Sequence, residues 1–145
     1  MRRLKKKRFV RNVGSAPGTL VHIGEERTEA TRIGFMDFDS DTLHENAAAS
    51  PDQIRTLKDR DTTTWINIEG IQDLTLIERI GRWFNIHPLS LEDIVNTEHR
   101  PKIEIFDGYL FIILKMLHYD ETDQRLTAEQ VSLVVGRHWL ISFEE

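Results

Sequence analysis

Apolar and polar residues in the first half of the chain alternate between strand-like and helix-like patterns. Short runs rich in β-branched and aromatic residues predict strands at 20–23, 32–38 and 62–68. The third run has the highest density of such residues and ends before Gly70, so we expect an inner strand there. A glycine- and proline-containing segment, 14–18, indicates a loop ahead of the first strand.

Three helices are predicted from capping signals and helical periodicity. A Ser-Pro pair followed by a glutamine predicts a helix at 51–58, since it combines an N-cap, a favoured first helical residue and a capping box. The second helix should run from Asp73, as its N-cap, to Asn85, because apolar residues between them recur on one helical face. A third helix, 88–96, opens on a proline.

The last third of the chain has the pattern of antiparallel strands joined by tight turns. An Asp-Gly pair separates the apolar segments 103–106 and 109–117, and this pair suits the positive φ angles of a two-residue hairpin turn. Two further strands are predicted at 126–135 and 139–143. We therefore expect an antiparallel meander in the C-terminal half.

About seven strands and three helices predict an α/β (α+β) fold, a mixed sheet with helices packed on it. Segment 109–117 is apolar at nearly every position, so we expect a central strand covered on both faces. Three short helices cannot cover both faces of a seven-stranded sheet. The chain should then either associate through an uncovered face or represent a truncated αβα sandwich whose further helices lie beyond residue 145.

The size and composition of the chain narrow its class. Its 145 residues correspond to one domain, and 39% hydrophobic with 30% charged residues suits a protein with its own core. The absence of cysteine excludes disulfides, thiolate zinc sites and cysteine nucleophiles. The longest nearly uncharged apolar run, 109–114, is far below the roughly 18 residues that span a bilayer. We expect a soluble chain.

The charge is distributed unevenly. Residues 1–11 carry seven Lys and Arg and no acid, which leaves 12 of the 19 basic residues against all 24 acidic residues in the rest. We interpret 1–18 as a basic, flexible N-terminal segment and 19–145 as the α/β domain. An acidic domain repels phosphate backbones, so we do not expect nucleic acid as a partner. Cations are the expected partners.

No common catalytic signature is present. The chain lacks the glycine-rich nucleotide loops, the Gly-x-Ser-x-Gly elbow and the His-Glu-x-x-His motif, and its six histidines show no paired spacing. We therefore do not expect the chain to be an enzyme. The alternative hypothesis is a stand-alone α/β enzyme that handles a small ligand or nucleotide. An interaction module that uses the basic segment on anionic lipid or RNA is a third hypothesis.

Two adjacent carboxylates, Glu92 and Asp93, are the candidate metal ligands. The apolar side of their helix carries Leu91, Ile94 and Val95, so both carboxylates should point away from the core. Consecutive helical residues point about 100° apart, so each would supply half of a site, completed by another chain. Mg²⁺ suits such a half-site because it takes oxygen ligands and often uses one or two carboxylates. Simple solvation of an exposed helix face is the alternative.

Seven ordered blocks over about 64–145 resemble the CorA family of magnesium transporters. They are Trp-Ile-Asn-Ile-Glu-Gly at 65–70, His-Pro-Leu-Ser-Leu-Glu-Asp-Ile at 87–94, Arg-Pro-Lys-Ile-Glu at 100–104, Tyr-Leu-Phe-Ile at 109–112, Leu-Lys-Met at 114–116, Glu-Gln-Val-Ser at 129–132 and Leu-Ile-Ser-Phe at 140–143. We interpret Trp65 in the first block as a core residue and Arg100-Pro101 as a loop.

The resemblance implies the N-terminal cytoplasmic domain of a homopentameric divalent-cation channel at the inner face of the cell membrane. Mg²⁺ would be the main permeant ion, with Co²⁺ or Ni²⁺ as others. It implies that Asp93 is an intracellular Mg²⁺ ligand paired with a neighbouring protomer's aspartate, and that Glu92 belongs to an adjacent site. Metal there would favour the closed state. The family's long stalk helix, transmembrane helices and Gly-Met-Asn filter are absent from this sequence, so membrane contact would come only through that missing C-terminal region.

Overall fold

The computed structural model of the chain describes residues 18–24 and 30–145. The predicted basic segment therefore lies outside the described residues, apart from Gly18. Among the described residues, no helix has the length and hydropathy needed to cross a bilayer.

One mixed sheet organises the fold. Its seven strands are β1 (Arg32–Phe38), β2 (Leu43–Asn46), β3 (Thr63–Glu69), β4 (Lys102–Phe106), β5 (Tyr109–Asp120), β6 (Arg125–Val135) and β7 (Trp139–Glu144). Their spatial order is β2-β1-β3-β7-β6-β5-β4. Among the strands of the described residues, β3 and β7 pair in parallel, with Ile66 opposite Ile141, and the other neighbouring pairs are antiparallel. The predicted α/β class, the mixed sheet and the C-terminal meander are confirmed.

The three predicted helices are present, although the first ends at residue 55 and not at 58. They are α1 (Pro51–Arg55), followed by a short 3-10 turn (Leu57–Asp59), α2 (Leu74–Phe84) and α3 (Pro88–Val95). The Asp73 carboxylate accepts a hydrogen bond from the Leu76 backbone N–H at 3.0 Å. Asn85 ends α2 in the left-handed conformation, with φ of 53°. Local side-chain chemistry therefore sets both ends of α2.

Two strand predictions differ from the structure. Segment 20–23 is not a strand, because Ile23 forms only an isolated bridge to Asn96, just after α3. The Ile23 N–H donates to the Val95 carbonyl at 3.0 Å, so the backbone of this segment pairs with the end of a helix and not with a strand. The strand β2 was not predicted, since its Leu-His-Glu-Asn sequence is polar and it pairs only with β1 at the sheet edge.

The core lies between the helices and one face of the sheet. The sheet residues that contribute to it alternate along their strands, and they include Ile66 and Ile68 on β3, Ile141 and Phe143 on β7, Val134 on β6, and Phe111 and Ile113 on β5. The helices contribute Ile54, Ile77, Ile80, Leu91, Ile94 and Val95. We call this face of the sheet the covered face, and the opposite one the open face.

The strand β5 is not central, contrary to the prediction. It lies between β6 and the edge strand β4. Tyr109, Phe111 and Ile113 are buried on the covered face, whereas Leu110 and Ile112 on the open face are only half-buried. The first part of the apolar run therefore has one buried face and one half-buried face, whereas Leu117 at its end is 64% exposed.

Trp65 lies on the open face and is 40% exposed, so its assignment to the core is wrong. Its indole N–H donates to Ser142 Oγ at 2.8 Å, which fixes the ring across β3 and β7. The strand alternation explains the error, because Thr64 and Ile66 on either side point into the core and Trp65 must point out.

Gly81 of α2 lies directly against Leu91 of α3. A Cβ at this position would overlap Leu91 Cδ1 and would lie 3.1 Å from Leu91 Cγ. Both residues are buried. The absence of a side chain at Gly81 therefore lets Leu91 pack directly on the α2 backbone, which positions α3 and the two candidate ligands on it.

Candidate cation site

The N-terminus of α3 is anchored to the turn between β4 and β5. The Tyr109 hydroxyl accepts a hydrogen bond from the His87 N–H at 3.0 Å and lies 3.1 Å from Ser90 Oγ. The Phe106 ring stacks between the rings of Tyr109 and His87, with centroid distances of 4.8 and 5.7 Å. The helix that carries the candidate ligands therefore has a fixed start.

The C-terminal carbonyl groups of α3 are capped by side chains of the sheet. Gln130 of β6, which is 2% exposed, donates through Nε2 to the carbonyl oxygens of Asp93 and Asn96, both at 3.1 Å. Lys115 of β5 donates through Nζ to the Thr97 carbonyl at 2.7 Å. These bonds satisfy acceptors that a helix end otherwise leaves unpaired.

The Asp93 carboxylate is the centre of a charged cluster. Lys102 Nζ lies 2.6 Å from Asp93 Oδ2, and His99 Nε2 lies 2.8 Å from Oδ1. Lys102 Nζ also lies 3.0 Å from Glu104 Oε2. We call Asp93, His99, Lys102 and Glu104 the Asp93 cluster. The Asp93 side chain is 17% exposed, which does not fit the alternative that it simply solvates an exposed helix face.

The Lys102 ammonium stays charged within this cluster. Burial alone would lower its pKa, but hydrogen bonds and charge interactions with Asp93 and Glu104 outweigh that effect and raise the pKa above its ordinary value. Lys102 is therefore a permanent positive charge beside Asp93 at neutral pH.

Glu92 has different partners from Asp93. Its Oε2 accepts a hydrogen bond from the Gly18 backbone N–H at 3.0 Å, and the side chain is half-buried. The two carboxylates do not converge, in agreement with their spacing along the helix. Glu92 connects the chain segment before β1 to α3.

The donor set fits a divalent cation only as half of a site. Across residues 18–24 and 30–145, no three His, Asp or Glu side chains form a group that could hold a metal ion. Asp93 offers the oxygen chemistry that Mg²⁺ takes, but both of its oxygens already have protein partners. The roles of Asp93 and Glu92 as ligands stay predictions.

Sequence reasoning missed Lys102 and His99 as members of the Asp93 cluster. The only signal was the Arg-Pro-Lys-Ile-Glu block, which places Lys102 two residues before Glu104 on a strand. Side chains two apart on a strand share a face, so this spacing allows both to meet a third group. Nothing in the spacing identifies that group as Asp93.

Among the acidic groups with shifted pKa values, Asp37 and Glu144 lie within the sheet. Asp37 on β1 is 1% exposed and accepts hydrogen bonds from Thr64 at 2.8 Å and from Thr62 and Arg60 at 2.5 Å. Burial alone would raise its pKa, but these bonds and the Arg60 charge lower it below its ordinary value.

Glu144 lies opposite Glu69 on the open face. Burial and the nearby carboxylates of Glu69 and Glu129 raise the pKa of Glu144.

Comparison with known proteins identifies the class. The family model of the CorA-like Mg²⁺ transporter protein matches residues 60–145. This range contains β3 to β7, α2, α3 and the whole Asp93 cluster. The chain belongs to this family, which confirms the resemblance seen in the sequence blocks.

Individual relatives point the same way. The chain is 39% identical over 142 residues to the cobalt/magnesium transport protein CorA of Thermotoga maritima, covering 98% of this chain and 40% of that protein. It is 33% identical over 122 residues to the magnesium transporter ALR2 of Saccharomyces cerevisiae, covering 78% of this chain and 14% of that protein. The chain therefore spans well under half the length of these relatives.

Solved structures share the fold at low sequence identity. The soluble domain of CorA from Methanocaldococcus jannaschii superposes with a TM-score of 0.51 at 15% identity, over 75% of this chain and 39% of that one. The full-length CmaX protein superposes with a TM-score of 0.61 at 11% identity, over 83% of this chain and 36% of that one. These likenesses support the fold alone.

Proposed function

We propose that the chain is the cytosolic, Mg²⁺-sensing regulatory domain of a CorA-like magnesium and cobalt transporter. The observation that carries the proposal is 39% identity to the Thermotoga maritima cobalt/magnesium transport protein over 98% of this chain. The domain would span residues 19–145, after a basic segment at 1–18. Stalk and membrane helices would belong to a region outside this sequence.

In this proposal Asp93 and Glu92 are ligands at subunit interfaces. Asp93 would supply one carboxylate to Mg²⁺, and a neighbouring subunit of a homopentamer would supply another. The cation would bind the closed assembly better than the open one and would shift the equilibrium by that difference in affinity. Co²⁺ and Ni²⁺ are further candidate ions. The domain would then lie at the cytoplasmic face of the inner membrane.

The comparisons favour transport over catalysis. The curated relatives carry the names of transporters, and no feature of the described residues favours an α/β enzyme. We therefore propose a non-enzymatic role for the chain. The acidic domain supports cations, not nucleic acid, as its partners.

A chimera tests the proposal. This chain would replace the matching 142 residues of the Thermotoga maritima protein, which supplies the remaining segments. We expect Mg²⁺ to protect the chimera from protease, because ligand binding to one assembly state stabilises that state. The Asp93→Asn variant should need several-fold more Mg²⁺ for the same protection.

The matched control is Asp61→Asn, which makes the same chemical change at an exposed position before β3. Its protection curve should overlay that of the unmodified chimera. If Asp93→Asn and Asp61→Asn give the same curve, Asp93 is not a ligand. If Mg²⁺ protects no version of the chimera, the sensing role itself is wrong.

A further inference from the structure

We infer that Lys102 is an internal competitor of the cation at Asp93, so that its ammonium weakens the binding of a divalent ion there unless it moves away from the carboxylate. The inference rests on the proposed function, because it assigns Asp93 as a ligand. It adds a residue whose removal should strengthen cation binding instead of weakening it.

The contacts of Lys102 show that it is held in place at Asp93. Its Nζ lies 2.6 Å from Asp93 Oδ2 and 5.6 Å from the centre of the Phe111 ring, and its side chain is 29% exposed. Strand β4 presents it on the covered face, beside α3. The pair is partly shielded from water, which makes it less subject to solvent screening than a surface ion pair.

Competition follows from charge. An ammonium and a divalent cation on the same carboxylate repel each other, and the repulsion is twice that between two single charges. His99 Nε2 already contacts the other oxygen, Oδ1. Each oxygen therefore has one protein partner, and a cation that binds at Oδ2 meets the Lys102 ammonium directly.

Glu104 gives the displaced ammonium a second position. Lys102 Nζ already lies 3.0 Å from Glu104 Oε2, so it can leave Asp93 and keep an ion pair. Only one of its two carboxylate contacts is then lost. Lys102 would therefore raise the cation concentration at which the site fills without blocking the site.

The experiment compares three versions of this chain at one pH: unmodified, Lys102→Gln and Arg100→Gln. Arg100 is the matched control, because it is exposed and its replacement removes the same charge two residues before Lys102. Mn²⁺ serves as the probe, since it takes oxygen ligands and its paramagnetism broadens nearby NMR signals even at low occupancy. Mg²⁺ is then added to reverse the broadening.

We expect Lys102→Gln to bind Mn²⁺ at Asp93 at least about tenfold more tightly than the unmodified chain, about 1.4 kcal/mol on the affinity scale. Arg100→Gln should stay close to the unmodified chain. If both variants tighten binding equally, the effect is general electrostatics and the inference is wrong. If Lys102→Gln leaves the affinity unchanged while Asp93 still binds Mn²⁺, the inference fails and the proposed function stands.

A measurement on the unmodified chain covers the case in which Lys102→Gln does not fold. The Lys102 ammonium signal should exchange slowly with water without metal and faster as Mg²⁺ is added, while the Lys115 signal stays constant. An unchanged Lys102 signal at Mg²⁺ concentrations that shift Asp93 would overturn the inference. Because a half-site binds weakly without its neighbouring subunit, the same versions are also compared in the chimera by the Mg²⁺ concentration that gives protection from protease. If no metal effect depends on Asp93 in either the isolated chain or the chimera, the ligand role of Asp93 and the inference both fail.

Discussion

Gly81→Ala should destabilise the domain, although alanine is the better helix former. Gly81 lies inside α2, where replacement by alanine normally gains about 1 kcal/mol. Here the new methyl group would overlap Leu91 Cδ1 and approach Leu91 Cγ to 3.1 Å. Leu91 is 6% exposed and packed against α2, so it has little room to move away.

The balance of these effects sets the expected magnitude. Overpacking a filled core typically costs about 1–3 kcal/mol, which exceeds the gain in helix propensity in most of that range. We expect a net loss of about 1 kcal/mol. In a Leu91→Ala background the overlap disappears, so Gly81→Ala should stabilise the protein there by up to about 1 kcal/mol.

Urea unfolding of the four proteins in this double-mutant cycle measures both effects. A change of sign of the Gly81→Ala effect between the two backgrounds is the expected result, with a coupling energy of about 2 kcal/mol. If Gly81→Ala is stabilising with Leu91 present, or if the two substitutions are additive, the close packing of α2 on α3 is not what requires glycine at this position.

Two acidic groups give pH-dependent predictions. Asp37→Asn should lower the unfolding free energy at pH 7 by about 1–3 kcal/mol, because a buried carboxylate loses charge-assisted hydrogen bonds. The pKa of Asp37 is lowered in the folded state, so the difference in unfolding free energy between the two proteins should be full above the ordinary pKa of 3.8 and shrink as the pH falls through the folded-state pKa. Urea unfolding at pH 7 and pH 3 measures this difference, and equal values at the two pH values would refute the prediction. Glu144→Gln should act in the opposite direction, because the folded-state pKa of Glu144 is raised and its ionisation is unfavourable beside Glu69. Thermal unfolding should show that Glu144→Gln increases the unfolding free energy by less than about 1 kcal/mol at pH 7, and that this increase vanishes below pH 4. A decrease at pH 7 would contradict the prediction.

Elements defined by local signals were predictable from the sequence. The caps of α2 at Asp73 and Asn85 act within one or two turns of the chain, and both form as predicted. The hairpin between β4 and β5 likewise follows from its Asp-Gly turn, where Gly108 has a φ of 89°. Each of these features depends on residues that are neighbours in the sequence.

Features that depend on distant partners were not predictable. Segment 20–23 has a strand-like composition, but it meets the end of α3 instead of a strand edge. Trp65 has the composition of a core residue, but the register of β3 places it on the open face. The Asp93 pair with Lys102 requires β4 to pack beside α3, and residue spacing does not report that packing.

The position of β7 has a consequence for how the domain forms. It is the last strand in the chain, yet it lies in the middle of the sheet, between β3 and β6. Without it, β2-β1-β3 and β6-β5-β4 would be two separate three-stranded sheets with exposed edges. During synthesis the two halves of the sheet cannot be joined until residues 139–144 have left the ribosome, so the sheet is completed only after the other six strands have been made.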